Sequence, residues 1–380
     1  MEYGKISVGF DHGGDYTGEL VDVSANIGPL SMPEEVRSAL FELADGDGLE
    51  RYPDPTAWNL CRKIAMREGI EVSKLHVNKF FLEPEDYILC GNGAVDLIYR
   101  TVLAVRPKTA LVVEPTFSEY KKALALVGCD VRSAPLTEET AFMLTEAFLD
   151  ELTEDLDMVF LCSPNNPTGQ SIPLELFEEI AKRCHKHDIT LLWDASFLEF
   201  SEQWEKYHAF LLKAIGKYEN FLALRSFTKI YAMAGVRLGY LMSSNVRLLN
   251  TILVSGPPWS VSAPAQAAGV AALKNHSYVE EARGMLESRK EAVIERLEEL
   301  GFSAMPTESP RRYLCSDTNF LLLHTERGDL ASVLESDHGV KVRRCETFDG
   351  LDSHWVRIAI RDKVTNEKVL GALKGALGHE

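Results

Sequence analysis

No stretch of the 380-residue sequence approaches 18 consecutive apolar residues, and the N-terminal MEYGKISVGFDHGGDY lacks the apolar centre of a secretory leader. A membrane-spanning helix and export are therefore not expected. Cysteine is sparse and unpaired: Cys61, Cys90, Cys129, Cys162, Cys184, Cys315 and Cys345 are odd in number, scattered and never in a CxxC. A disulfide framework or a zinc site needs closer, paired spacing, so reduced thiols in a cytoplasmic protein are expected, with no metal. Positive charge is short as well, with 40 Lys and Arg against 57 Asp and Glu, a net charge of −17. A nucleic-acid backbone or an anionic membrane repels such a chain, and neither is expected as a partner. A small anion remains admissible, because a local Arg/Lys pocket suffices to hold one. Internal repeats and Pro/Ser-rich linkers are absent too.

What is present is an ordinary globular composition, 46% apolar and 26% charged, over about two to three domain-lengths of ~150 residues. From about residue 85 to 245, short apolar runs alternate with amphipathic stretches. Tyr87–Cys90, Thr109–Val113, Met158–Cys162, Ile189–Trp193 and Phe221–Leu224 read as buried strands; Val95–Val105, Ser118–Val127 and Leu174–His187 carry 3.6-residue periodicity. Such alternation predicts an α/β fold, a mostly parallel sheet covered by helices on both faces. Past Pro257, Val261–Leu273 and the charged His276–Leu300 read as helices leading to a small α+β domain. The expected division is residues 1–50 as an N-terminal arm and part of the small domain, 51–275 as the large domain and 276–380 as the C-terminal small domain.

Ligands in parallel sheets bind beyond the carboxyl ends of the strands, so the turns there carry the candidate chemistry. Lys229, in Ser226-Phe-Thr-Lys229, follows a buried strand, where desolvation and nearby positive charge lower a lysine pKa as covalent catalysis requires. Arg237 follows eight residues later and can meet the same anion as the Ser226 hydroxyl. An ordinary loop lysine fits these residues equally well when they stand alone. Asp194 ends the strand Leu191-Leu-Trp193; it either caps a turn or keeps a heterocyclic nitrogen protonated. Asn166, in Ser163-Pro-Asn-Asn-Pro-Thr-Gly169, is either turn punctuation or an amide donor to a ligand oxygen. Gly91-Asn-Gly-Ala-Val-Asp96 lacks the third glycine of a dinucleotide turn and suits a single phosphate on backbone N–H groups instead.

The order GNGAVD, SPNNPTG, WDASF, RSFTK and GVRLGY resembles the fold-type I enzymes of the aminotransferase class I/II superfamily, which use pyridoxal 5'-phosphate. The resemblance implies a large cofactor-binding domain beside a small one. It makes Lys229 the lysine that forms a Schiff base with the cofactor and Asp194 the partner of the ring nitrogen. Asn166 matches the contact to the ring 3-oxygen, and Phe117 the aromatic stacked on the ring. Gly93, Ala94, Val95, Ser226 and Arg237 match the phosphate cup. Tyr52, in Arg-Tyr-Pro-Asp-Pro, resembles the tyrosine that reaches a neighbouring subunit's cofactor, which implies a homodimer.

Within the superfamily the layout resembles histidinol-phosphate aminotransferases. His12-Gly-Gly-Asp, Ser24-Ala-Asn-Ile, Pro258-Trp-Ser-Val, Val342-Arg-Arg-Cys345 and Val356-Arg-Ile resemble more closely the L-threonine-O-3-phosphate decarboxylases. Phe197 stands where the aminotransferases carry a tyrosine donating to the ring 3-oxygen. Asp15 replaces the more usual Asn of the HGGN arm. The implied reaction is decarboxylation of an O-phospho-L-amino acid, L-threonine phosphate or L-serine phosphate, in cobamide biosynthesis; the alternative is histidinol-phosphate-type transamination. The expected substrate residues are His12, Asn26, Asn166, Arg343 and Arg357.

Overall fold

A strand apolar on both faces needs cover on both faces, and Met158–Cys162 is buried at every position. Along it Val159 and Leu161 join one hydrophobic cluster while Met158, Phe160 and Cys162 join another on the opposite side. The sheet thus sits between two helical layers. The computed structural model describes residues 12–15, 17–71 and 82–378. Its elements begin with β1 (Val21–Asp22), α1 (Glu34–Asp45) and α2 (Trp58–Glu68). The central α/β part comprises β2 (Ile88–Gly91), α3 (Gly93–Val105), β3 (Thr109–Glu114), α4 (Glu119–Leu126), β4 (Asp130–Pro135), β5 (Met158–Cys162), α5 (Leu174–Lys186), β6 (Thr190–Asp194), α6 (Trp204–Lys217), β7 (Phe221–Ser226), the single turn α7 (Phe227–Ile230), β8 (Gly239–Met242) and α8 (Val246–Val254). Then come α9 (Ala263–Ala272), α10 (Tyr278–Glu299), β9 (Ser303–Ala304), β10 (Arg312–Tyr313), β11 (Phe320–His324), α11 (Leu330–His338), β12 (Val340–Lys341), β13 (Arg343–Arg344), β14 (Trp355–Ala359) and α12 (Lys363–Ala376).

The large sheet has seven strands in the order β2-β8-β7-β6-β5-β3-β4. The ladders from β7 to β4 are parallel, whereas β8 is antiparallel to both β7 and β2. The reversal of β8 matters for the site. With Gly239 opposite both Gly91 and Ser226, its amino end arrives where its neighbours' carboxyl ends finish. A second sheet of five strands, β13-β14-β11-β10-β9, lies in the C-terminal part. β1 pairs in parallel with β12, so the N-terminal segment is tied to that part.

The structure corrects the sequence reading at several elements. β7 continues through Ser226 because β8 pairs with it there, so Ser226 ends the strand instead of following it. Tyr87 belongs to a short 3-10 turn ahead of β2. β4, an edge strand with polar, partly exposed side chains, and the four-residue β8 were not anticipated, and neither was α6.

Candidate active site

The carboxyl ends of β2, β3, β5, β6 and β7 and the amino end of β8 surround a cavity of about 270 Å³. His12, Asn26, Ala94, Val95, Phe117, Asn166, Asp194, Phe197, Ser226, Lys229, Arg237, Arg343 and Arg357 all line it. Gly93 is not part of the lining, although it abuts Arg237, which is. Tyr52 lies apart, 81% exposed, with its ring 4.8 Å from that of Trp259.

One end of the cavity is built to receive an oxyanion. Gly93 opens α3 with φ +80°, and a Cβ there would lie 2.6 Å from Arg237 Nη2. At Gly239 a Cβ would lie 2.7 Å from the Ala94 nitrogen. Glycine at both positions lets the guanidinium and the first N–H groups of α3 approach one another, a cradle of donors at a helix start. Ser226 Oγ accepts from the Thr228 N–H at 3.2 Å and lies 2.7 Å from Thr228 Oγ1, which brings two hydroxyls to the same end. Asp96 stands where a dinucleotide turn would have glycine. Its carboxylate accepts from the Asn92 N–H at 3.0 Å and from Arg100 Nε at 2.8 Å, closing the turn itself.

In the middle sit the titratable groups. Lys229 is half-buried at the cavity wall, and desolvation pushes its amine down to about 8, helped by the charges of Arg357 and Arg237 and opposed by Asp194. About a tenth of such an amine is neutral at pH 7, far more than for a solvated lysine. Burial pushes the Asp194 carboxyl up, although its hydrogen-bond donors and Lys229 oppose the shift. Oδ2 accepts from Tyr120 Oη at 2.7 Å and Oδ1 from the Ser196 N–H at 3.0 Å. A cationic ring N–H would complete that buried carboxylate. Phe197 places its ring 5.8 Å from Lys229 Nζ and meets Phe320 edge-on at 5.3 Å, offering no hydroxyl to the cavity.

The other end is a second anion pocket. Arg343 and Arg357 are register partners on the antiparallel strands β13 and β14, which sets like charges directly opposite each other. Arg357 Nη1 donates to Asn166 Oδ1, leaving the Asn166 amide nitrogen as the group free to donate, and Nη2 donates to the Ser24 carbonyl at 2.8 Å. Its Nε is buried with no partner among the described residues. Burial pulls the Arg357 guanidinium down to about 9, and Arg343 adds to the shift. Arg343 Nη2 donates to Thr347 Oγ1 at 2.8 Å. A buried pair of like charges with an orphaned donor is a site that an anion stabilises. Asn26, 3% exposed, adds a buried side-chain oxygen with no partner among the described residues.

Asp15 belongs elsewhere. Its carboxylate accepts from the Leu20 and Thr17 N–H groups and the Thr17 hydroxyl, so it shapes the arm's turn and lies outside the cavity lining. Tyr120, Ser24 and Glu119 are the residues that motif reasoning missed. Tyr120 was within reach of it, because it stands three residues beyond Phe117, where side chains on a helical turn meet.

A cavity with an oxyanion cradle, a desolvated lysine, a buried carboxylate and an amide donor fits pyridoxal phosphate. The profile of the family "Aminotransferase class I and II" matches residues 18–373. A threonine-phosphate decarboxylase of Salmonella typhimurium is 35% identical over 360 residues, 94% of this chain and 92% of that protein. An adenosylcobalamin biosynthesis bifunctional protein, CobDQ, of Leptospira interrogans is 30% identical over 93% of this chain and 38% of its own length. The crystal structure of the histidinol-phosphate aminotransferase from Clostridium acetobutylicum superimposes with a TM-score of 0.80 at 28% identity, covering 93% of this chain and 98% of that one. With the family profile spanning residues 18–373 and a relative 35% identical over 94% of this chain, the chain belongs to the class I and II aminotransferase family.

Proposed function

We propose that this protein is a pyridoxal-phosphate-dependent decarboxylase of an O-phospho-L-amino acid. It converts L-threonine phosphate to aminopropanol phosphate, or L-serine phosphate to ethanolamine phosphate, as a step of cobamide biosynthesis. The observation that carries the reading is the second anion pocket, where Arg343 faces Arg357 beyond a cavity that already has one phosphate cradle. The similarity to the Salmonella decarboxylase over nearly the full chain supports it.

When bound, pyridoxal phosphate supplies an electron sink for whichever bond at the substrate α-carbon stands perpendicular to its ring. The protein's residues make that choice. Gly93, Ala94, Val95, Ser226 and Arg237 would hold the cofactor phosphate, Phe117 would pack against its ring, and the Asn166 amide would donate to its 3-oxygen. Asp194 keeps the ring nitrogen protonated. Arg343, Arg357, His12 and Asn26 would take the substrate's side-chain phosphate and its neighbouring polar groups, and so would fix which bond at the α-carbon is presented for cleavage. Each charge-assisted hydrogen bond is worth ~1.5–3 kcal/mol, and ~1.4 kcal/mol is a decade in rate, so two or three suffice to hold one orientation. Lys229 Nζ, partly neutral at pH 7, carries the proton that replaces the carboxylate at the α-carbon. Phe197 leaves the ring oxygen without the phenol donor expected of a transaminase.

In this reading residues 1–50 are arm and part of the small domain, 51–275 the cofactor domain and 276–380 the small domain. The chain works as a cytoplasmic homodimer in which Tyr52 reaches the neighbouring cofactor. Its exposure in ring contact with the half-exposed Trp259 leaves an aromatic pair on the surface, which supports this reading. Incubation with each phospho-amino acid, assaying CO₂ and the amine phosphate, tests the reaction. Formation of glutamate from histidinol phosphate and 2-oxoglutarate, with no CO₂ from either phospho-amino acid, would replace it with transamination.

A further inference from the structure

Glu119 lies outside the residues given a role so far, yet it holds one of them. The first residue of α4 and 7% exposed, it accepts from Tyr99 Oη at 2.7 Å, Lys122 Nζ at 3.0 Å and His12 Nε2 at 2.9 Å. The His12 bond is the largest cause that holds its carboxyl near 2, so it is charged throughout the working range. Tyr99 and Lys122 stand on α3 and α4, helices packed on the large sheet, and fix the carboxylate to the scaffold. His12 is the only one of the three donors on the arm.

The other side of the arm is fastened to the segment just past β1 that serves Arg357. The Gly14 N–H donates to Ser24 Oγ at 2.8 Å, and a Cβ at Gly13 would lie 2.3 Å from the Ser24 carbonyl oxygen. That same carbonyl accepts from Arg357 Nη2. At the Glu119 end, the His12 ring lies 5.7 Å from that of Phe117. Residues 12–14 therefore run along one side of the cavity, from the stacking ring to the buried arginine. A His-Gly-Gly segment loses much conformational freedom on being ordered, so the side chain that pins it decides how often it is in place.

We propose that Glu119 is a positioning residue. Its carboxylate latches His12 and so lays the arm against the phosphate end of the substrate, setting affinity for the phosphorylated side chain more than the chemical step. The inference rests on the phospho-amino-acid reading for the identity of the ligand alone.

The experiment uses the cofactor-loaded enzyme. KM and kcat for L-threonine phosphate, and the Kd of inorganic phosphate by calorimetry, are compared across wild type, Glu119→Ala, Glu119→Gln, His12→Ala and the Glu119→Ala/His12→Ala pair. Glu119→Ala should raise KM and the phosphate Kd about tenfold, the scale of one charge-assisted contact, while kcat moves less than about twofold. Glu119→Gln keeps an acceptor and should lose less; it also carries the test if the alanine variant does not fold. The double variant should bind no worse than His12→Ala alone. Unchanged KM and Kd in the Glu119 variants overturn the proposal, and so does a Glu119 effect that adds in full to that of His12. If wild type releases no CO₂ from either phospho-amino acid, the substrate assignment fails while the phosphate Kd cycle still decides the latch.

Discussion

Tyr120 donates its hydroxyl hydrogen to Asp194 Oδ2 across 2.7 Å while its ring meets Phe117 edge-on at 5.6 Å. One fully buried side chain therefore braces both the Asp194 carboxylate and the Phe117 ring, the groups proposed to meet the cofactor's ring nitrogen and its face. Desolvation alone drives the Asp194 carboxyl upward, and Tyr120 is one of the donors that restrain it. Tyr120→Phe keeps the ring contact and removes the donor. A hydrogen bond to a charged group is worth ~1.5–3 kcal/mol, so turnover should fall by about 10- to 100-fold and the cofactor should dissociate more readily. Wild-type turnover together with wild-type cofactor affinity would show that Asp194 needs no such support. Asp194→Ala should cost more in rate than in cofactor retention.

Lys229→Ala should abolish turnover and the yellow absorbance of the cofactor-loaded protein, with cofactor still retained by the phosphate cradle. In the cofactor-free protein the amine titrates near 8 instead of 10.5. The folded state then binds fewer protons than the unfolded one between those values, so burial of Lys229 costs stability below pH ~8 and the cost eases as pH rises toward ~10.5. The neutral amine is the form that reacts, and the rate of cofactor uptake followed by absorbance should climb to about pH 8 and then level. A rate still rising steeply at about pH 10 would describe a solvated lysine instead.

Arg357→Ala removes a cation of the proposed substrate pocket together with the donor that fixes the Asn166 amide and the donor to the Ser24 carbonyl. Arg343→Ala removes the opposing cation, its tie to Thr347 and its packing over the Phe348 ring. Both should raise KM for the phospho-substrate, Arg357→Ala more, by about 10-fold or greater. At least one should shift product from amine phosphate toward pyridoxamine phosphate, because a loosened substrate presents its C–H bond. Mass spectrometry of the products reads the ratio; an unaltered ratio in both variants would separate the arginines from bond choice.

On the far side of β7, buried Glu68 accepts from Tyr240 Oη at 2.6 Å and pairs with Arg225 Nη1 at 3.4 Å and His208 Nδ1 at 3.4 Å. Burial would push this carboxyl up, but Arg225, His208 and Tyr240 together hold it below the usual value. Its contribution to stability is present above the unfolded carboxylate pKa and is lost as pH falls through the lower folded one. Glu68→Ala leaves Arg225 short of a buried counter-charge, and the expected loss is ~3–5 kcal/mol, read by denaturant unfolding. A loss under about 1 kcal/mol would mean that water or Glu199, 3.3 Å from Arg225 Nη2, takes over.

Asp194, Lys229 and Asn166 were legible in the sequence because each follows or ends an apolar run that can only be a buried strand, and such ends converge in a parallel sheet. The register of β8 was not legible. Four residues, Gly239–Met242, carry too little pattern, yet their reversed direction is what brings Arg237 to the cradle. β4 was hidden by its exposed, polar edge. The pairing of His12 with Glu119 spans 107 residues, a separation over which local periodicity carries no information. Arg343 and Arg357 could be named from their motifs, but their placement directly across a strand pair required the fold.

Successive side chains on β7 point to opposite faces of the sheet, so Arg225 turns into the Glu68 cluster and Ser226 into the cavity. One peptide bond separates a residue that secures the molecule from a residue that serves its ligand. Variation can therefore be directed to one face at a time. A library confined to cavity-facing positions such as Phe197, Arg343 and Phe348 would explore new substrates over an intact ionic anchor, and selection for heat resistance at Glu68, Arg225 and His208 would leave ligand preference largely untouched.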